Sequence, residues 1–153
     1  TDSVDPEPTP LRETLLAEME SLEGRYENVT VRTRGTIPAV TVAANEMLPA
    51  VFKNILNNAV QHNDRDDPEV IVSASQTADR IKVKFADNGP GIPEERRDSL
   101  FGKGEKGLES DGTGLGLYLV DTLISQYGGE VWIEDNEPTG VVVCVELHLT
   151  GDS

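Results

Sequence analysis

Three stretches of this chain carry residue types at spacings that could do chemistry. The first is Asp87-Asn88-Gly89-Pro90-Gly91-Ile92-Pro93, a carboxylate followed by two glycines at alternate positions. A carboxylate accepts hydrogen bonds from an amino group, and residues without a Cβ at 89 and 91 let a flat ligand lie against the backbone. The same residues also spell a plain turn, since Asn-Gly is a common hairpin signal and Pro90 and Pro93 are ordinary loop punctuation. The second is Asn54 and Asn58, one turn apart on one helical face. Asparagine in a helix costs about 0.5 kcal/mol relative to alanine, so two in line are either common surface polarity or a site. A neutral amide oxygen there can ligate Mg²⁺, an ion that keeps much of its water and takes its remaining ligands from nucleotide phosphates. The third is Gly112-Thr113-Gly114-Leu115-Gly116-Leu117, which joins a glycine-rich loop to a helix start. Free backbone N–H groups and the positive end of the helix dipole make such a start an anion site, unless the run is only a flexible connector. It has no strand just before it, as a dinucleotide fingerprint would, and no Gly-Lys-Ser or Gly-Lys-Thr, as a Walker loop would. Lys103 and Lys106, in the loop that precedes it, point either to phosphates or simply to solvent.

The elements that must position these groups follow from periodicity. Arg80 to Ala86 alternates Ile81, Val83 and Phe85 with Arg80, Lys82 and Lys84, so Asp87 stands at the exit of a half-buried strand. Glu69 to Ser75 is its hairpin partner about Thr77-Ala78-Asp79. Asn45 to about Asn63 is the longest helix, with Leu48, Phe52, Ile55, Leu56, Ala59 and Val60 as its core stripe and Asn54, Asn58 and Gln61 on the face away from it. Gly114 to about Tyr127 is a second long helix, with Leu117, Val120, Ile124 and Tyr127 inward and Gly128-Gly129 ending it. Upstream, Thr9 as N-cap and Pro10 in the first turn open a helix carrying Leu11, Leu15, Met19 and Leu22, closed by Gly24. Asn28 to Arg34 and Pro38 to Ala43 form two strands about Gly35-Thr36, as a hairpin or an adjacent pair. Glu94 to Leu100 is at most a short helix, and Phe101 to Gly112 reads as a mobile loop. Glu130 to Asp135 and Val141 to Leu149 are two final strands about Pro138-Thr139-Gly140. Residues 1–9 read as a disordered lead or linker, residues 10–150 as one domain and residues 151–153 as a tail.

Composition narrows the function classes. The 153 residues suit one domain, and the net charge of −15, from 28 acidic and 13 basic residues, speaks against a nucleic-acid partner. No apolar run approaches the roughly 18 residues of a membrane span and no signal segment opens the chain, so no membrane contact is expected and a soluble, cytoplasmic setting is. The single cysteine, Cys144, lies in an apolar strand and reads as a small buried hydrophobe. Helices and strands alternate without regular βαβ spacing, which suits an α+β two-layer sandwich: a mixed, mainly antiparallel sheet covered on one face by helices.

Asn54-Ile55-Leu56-Asn57-Asn58-Ala59, Asp87-Asn88-Gly89-Pro90-Gly91-Ile92, Leu100-Phe101 and Gly112-Thr113-Gly114-Leu115-Gly116-Leu117 resemble, in this order, the N box, first glycine box, F box and second glycine box of the ATP-binding catalytic domain of sensor histidine kinases. That domain belongs to the superfamily shared with gyrase-type topoisomerases, mismatch-repair MutL and a heat-shock chaperone. The resemblance, over about residues 45 to 149, implies a Bergerat-type ATP-binding fold with ATP and Mg²⁺ as cofactors. It implies that Asp87 takes the adenine amino group, that Gly89, Gly91 and Ile92 line the adenine pocket and that Asn58 holds the metal. Gly112, Thr113, Gly114, Leu115 and Gly116 would wrap the triphosphate beneath a lid of residues 102–111 that follows Phe101. Lys103 stands where the family often has an arginine near the terminal phosphates, and Lys106 lies in the same lid. In the hydrolases of the superfamily the position of Asn54 is a glutamate that activates water; an amide cannot take a proton, which favours phosphotransfer. Gln61 replaces a basic residue common in the kinases, and His62 an aromatic that packs on adenine, which an imidazole can still do.

The implied reaction is transfer of the γ-phosphoryl group to a histidine in two-component signalling. Neither His62, followed by Asn63, nor His148 has the family's His-Glu or His-Asp context. The acceptor is therefore expected on a separate dimerising helical domain, with a response regulator downstream. The alternatives are an ATPase or conformational switch of the gyrase and MutL class, a nucleotide-binding module without catalysis, and a serine kinase of the anti-sigma type.

The acid excess with only five lysines implies a halophilic source. At about 1 M salt the Debye length is about 3 Å, which removes most long-range self-repulsion. Thermal stability should therefore rise from low to multimolar salt; loss of folding at high salt would overturn this.

Overall fold

The computed structural model describes residues 5–61, 63, 66–91 and 113–150. Its elements run β1 (Glu7–Pro10), α1 (Leu11–Arg25), β2 (Thr30–Thr33), β3 (Thr41–Ala44), α2 (Leu48–Gln61), β4 (Glu69–Gln76), β5 (Arg80–Asp87), α3 (Thr113–Gln126), β6 (Glu130–Asp135) and β7 (Val141–His148). Five strands form one sheet in the order β2-β4-β5-β7-β6, with β2 parallel to β4 and every other pair antiparallel. β1 and β3 form a separate antiparallel pair, linked to the main sheet by a bridge between Val42 and Leu149. The fold is the α+β sandwich that the alternation of elements implied.

Period-two patterning decides which face is buried. Val70 and Val72 of β4, Ile81, Val83 and Phe85 of β5, and Val141, Val143, Val145 and Leu147 of β7 all face the helices and are at most 5% exposed. The Phe85 ring meets Phe52 of α2 with centroids 5.8 Å apart, an offset tilt that favours aromatic pairs. No described helix covers the opposite face. Long side chains spread over it instead: Lys82 over the Trp132 ring at 5.4 Å, Arg80 against Glu146 at 3.2 Å, Arg32 against Glu69 at 3.0 Å. Cys144 lies fully buried beneath them, and burial, followed by the charge of Glu134, pushes its thiol up to about 11. It is a packing residue, as its apolar context implied.

The helices lie on the inner face with the stripes their spacing set. α1 buries Leu11, Leu15, Met19 and Leu22, and α2 buries Leu48, Val51, Phe52, Ile55, Leu56, Ala59 and Val60. α3 buries Leu117, Val120, Leu123 and Ile124, with Tyr127 just beyond its end. A side-chain bond joins the residues flanking the two helices: the Tyr127 hydroxyl, just beyond α3, donates to Asn45 Oδ1 at 2.5 Å, the same oxygen that accepts the Met47 N–H at 2.9 Å just before α2. Burial pushes the Tyr127 phenol up to about 12, so it stays a protonated donor. The two helices thus run antiparallel, with the C-terminal half of α2 beside the N-terminal half of α3.

Four local expectations are corrected. Glu7–Pro10, expected within a disordered lead, is a strand, because its register against Thr41–Ala44 gives the N-terminal segment backbone partners. Residues 28–34 and 38–43 do not form a hairpin. The Arg34 N–H bonds Val72 O at 2.8 Å, continuing β2 along β4 up to the bend at Gly35, beyond which β3 leaves to pair with β1. Thr9 does not cap α1: its hydroxyl turns back to Glu7 O at 2.9 Å, Pro10 occupies the cap position, and the Leu11 N–H is satisfied by Val40 O at 3.0 Å. Gly24 does not end α1, which runs to Arg25 and stops at an extended Tyr26. The expected short helix at 94–100 and the loop at 101–112 lie outside the described residues, as do residues 151–153.

Phe85 is the largest inner side chain of the central strand, so Phe85→Ala should cost about 3–5 kcal/mol of stability. Denaturant unfolding measures this, and a loss under about 1 kcal/mol would mean the ring is not part of the core.

Candidate functional site

β5 delivers Asp87 to the end of the sheet, where the ladder with β7 has stopped at Ala86 and Val142. Beyond that point side chains take over the pairing. Asp87 Oδ1 accepts the Gly89 N–H at 2.9 Å and the Val141 N–H at 3.3 Å. Asp87 O accepts Asn136 Nδ2 at 2.7 Å, and Gly89 O accepts the Thr139 hydroxyl at 2.9 Å. Asn88 faces the other way, its Oδ1 accepting Asn63 Nδ2 at 2.7 Å and the Glu69 N–H at 3.0 Å. The segment is therefore held by the end of α2, the start of β4 and the β6–β7 turn together.

Two glycines are required here by geometry. Gly91 has φ +89°, a left-handed conformation that L side chains rarely adopt. Gly140 has φ +110°, and a Cβ on it would lie 2.0 Å from Asp87 O. At Gly89 a Cβ would approach Asp87 Oδ1 to 3.3 Å and Asn63 Cα to 3.4 Å.

Asn58 is where the sequence reading is corrected most. Its spacing puts it on the face away from the core with Asn54, yet it is 8% exposed and its Oδ1 has no hydrogen-bond partner among the described residues. The reason is the width of the buried arc on α2, which spans Ile55, Leu56, Asn58, Ala59 and Val60 where α3 packs beside it. Asn54 is half-buried and gives Nδ2 to Ala50 O at 2.7 Å, and Asn57 accepts Arg25 Nη2 at 2.8 Å. A buried acceptor without a partner costs about 1–3 kcal/mol, so Asn58 is explained by a ligand better than by packing. A neutral hard oxygen suits Mg²⁺, and no group of three or more His, Cys, Asp or Glu that could hold a metal occurs among the described residues. Any ion held at Asn58 would complete its shell from water and ligand oxygens.

Asn58, Ala59, Asp87, Pro90, Gly91, Leu117, Val141 and Val143 enclose one pocket. The structure thus joins three predicted groups, Asp87, Gly91 and Asn58, with the first turns of α3. Thr113, Gly114, Leu115 and Gly116 lie in the opening turn of α3, where four backbone N–H groups lack helical partners. Gln61 is exposed at the last residue of α2 and does not line the pocket, and neither does Asn54. His62, Ile92, Phe101, Lys103, Lys106 and Gly112 lie outside the described residues. The pocket encloses about 20 Å³, the room of about one water, so a flat ring enters only if the walls part.

Several contributors escaped the sequence reading. Val141 and Val143 carried only a core signal, Leu117 a core signal at the end of the glycine run, and Thr139 and Gly140 only a turn signal, while Asn136 carried none. Chemically the arrangement offers a fixed carboxylate to an amino group, a hard oxygen to a cation and a helix start to an anion, within one pocket.

A family model described as histidine kinase-, DNA gyrase B- and HSP90-like ATPase matches residues 44–151. The chain belongs to that family. Among curated proteins it is 31% identical over 144 residues to the C4-dicarboxylate transport sensor protein DctB of Rhizobium meliloti, covering 92% of this chain and 23% of that one. It is 28% identical over 101 residues to the adaptive-response sensory kinase SasA of Synechocystis, covering 64% of this chain and 26% of that one. The chain spans about a quarter of the length of these relatives. The mycobacterial sensor histidine kinase MprB shares the fold with TM-score 0.81 at 23% identity, over 94% of this chain and 97% of that one. Full-length ShkA, solved in complex with AMPPNP, shares it with TM-score 0.81 at 24% identity, over 100% of this chain and 34% of that one.

Gly140→Ala should cost at least about 1–3 kcal/mol through its φ and its contact with Asp87 O. It should also move the amide resonances of Gly89 and Val141; a variant of unchanged stability and spectrum would show that the turn does not bear on Asp87.

Proposed function

We propose that residues 44–150 bind ATP with Mg²⁺ and serve as the ATP-binding domain of a sensor histidine kinase. The observation that carries this is one pocket holding both a carboxylate fixed by two backbone amides and the buried, unpartnered oxygen of Asn58. Membership of the family and the kinase names of the relatives support it.

In this reading Asp87 accepts the adenine 6-amino group, Gly91 lets the ring lie against the backbone, and the walls of Leu117, Val141 and Val143 exclude water from it. The opening turn of α3 receives phosphate oxygens on its free N–H groups. Asn58 Oδ1 would be the protein's ligand to Mg²⁺, whose bound charge offsets that of the phosphates. Gln61, His62, Ile92, Phe101, Lys103, Lys106 and Gly112 remain assigned to the nucleotide by motif alone. Asn54 cannot act as a general base toward water, so the domain's share of catalysis is positioning and charge neutralisation, and the γ-phosphoryl group passes to a histidine supplied by a helical partner domain. A response regulator would receive it next. No helix among the described residues is long and apolar enough to cross a membrane, and use of ATP suits a cytoplasmic domain.

Titrating ATP and Mg²⁺ against the chain tests the reading. Wild type should bind, and Asp87→Asn should weaken ATP by at least about tenfold, because it keeps an acceptor for the Gly89 and Val141 amides but loses the charge facing the amino group. Asn58→Ala should abolish the Mg²⁺ dependence of binding. Absence of ATP binding by wild type would end the proposal.

A further inference from the structure

Among the described residues, four hydrogen bonds fix the Asp87 segment at its glycine-box end: two at Asp87 Oδ1, one at Asp87 O and one at Gly89 O. Only one of the donors, the Gly89 N–H, belongs to the segment itself. The other three come from Asn136, Thr139 and Val141, more than 40 residues later in the chain. Asn136 is the bridge. Its Oδ1 accepts the Glu137 N–H at 2.9 Å within the turn, its own N–H bonds Gly140 O at 3.0 Å to close the turn, and its Nδ2 reaches across to Asp87 O. An amide accepts on its oxygen and donates from its nitrogen, which an ionised carboxylate of the same shape cannot do. Thr139 makes a second crossing from the same turn, and Gly140 lies so near Asp87 O that no side chain fits between them.

We infer that Asn136 and Thr139 are positioning residues for purine recognition: the β6–β7 turn aims the Asp87 carboxylate, and so sets the selectivity for a purine that bears a 6-amino group. The inference rests on the ATP reading above and adds to it the residues that make the carboxylate selective. A carboxylate free to rotate would hydrogen-bond water as readily as an amino group, whereas one held by its backbone on both sides rejects a ligand that leaves it unpaired. A turn of merely structural value would affect every nucleotide alike.

The experiment compares ATP with purine riboside 5′-triphosphate, which lacks only the 6-amino group, by calorimetric titration in Mg²⁺. Wild type should prefer ATP by about tenfold or more. Thr139→Val, which keeps shape and deletes the hydroxyl, and Asn136→Asp, which keeps the acceptor for Glu137 and deletes the donor, should each cut that preference by about five- to tenfold while changing affinity for the analogue by less than about twofold. Thr139→Ser should restore it. Faster exchange of the Gly89 and Val141 amide protons in Thr139→Val, reversed in Thr139→Ser, gives a readout that needs no nucleotide. An unchanged preference in both variants, or equal weakening of both nucleotides, overturns the inference. So does a wild type that binds both equally, which leaves nucleotide binding standing. A wild type that binds neither overturns the ATP reading and this inference together.

Discussion

Asp87 ends the central strand of the sheet, and the two amide hydrogen bonds on its Oδ1 depend on nearly every other part of the molecule being in place. The Gly89 bond needs the turn after β5, and the Val141 bond needs β7 in register beside it. That register needs β6, which shares its turn with β7, and the inner face of both strands needs α3 above it. The hairpin with β4 fixes the other side, where Asn88 is held by Glu69 and Asn63. A site built from the end of a strand inherits the precision of the sheet, which a site on a loop would not.

Much of this architecture was legible because its causes are local. The alternation of Ile81, Val83 and Phe85 gave β5 and its hairpin with β4, and the helical stripes of α2 and α3 emerged nearly to the residue. The order of four short motifs, at Asn54–Ala59, Asp87–Ile92, Leu100-Phe101 and Gly112–Leu117, marks the family to which the chain belongs. What was not legible rests on contacts distant in sequence. β2 and β3 look alike as Val- and Thr-rich strands about a glycine, and nothing local says that one joins β4 in parallel while the other joins the N-terminal segment.

The site divides in the same way. Asp87 and the glycines alone spell a turn, and it is the asparagine line upstream and the Gly112 run downstream that mark them as a site. Asn136 and Thr139 carry no such mark, since turns are rich in such residues for reasons that have nothing to do with a site. The exposure of Asn58 is not legible in the sequence: periodicity marks the centre of a helix's apolar face but not how far a neighbouring helix extends it.

The buried oxygen of Asn58 has a thermodynamic consequence. An acceptor left without a partner makes the ligand-free fold less stable by about 1–3 kcal/mol. A cation that satisfies it in the folded state, and finds no equivalent in the unfolded chain, restores that stability as it binds. On the proposed assignment, folding and occupancy become linked equilibria, and the concentration of ion and nucleotide would set how much of the chain is folded as well as how much is loaded. On that assignment, asparagine in place of an apolar residue that would pack better would keep the domain responsive to its ligand at the cost of its resting stability.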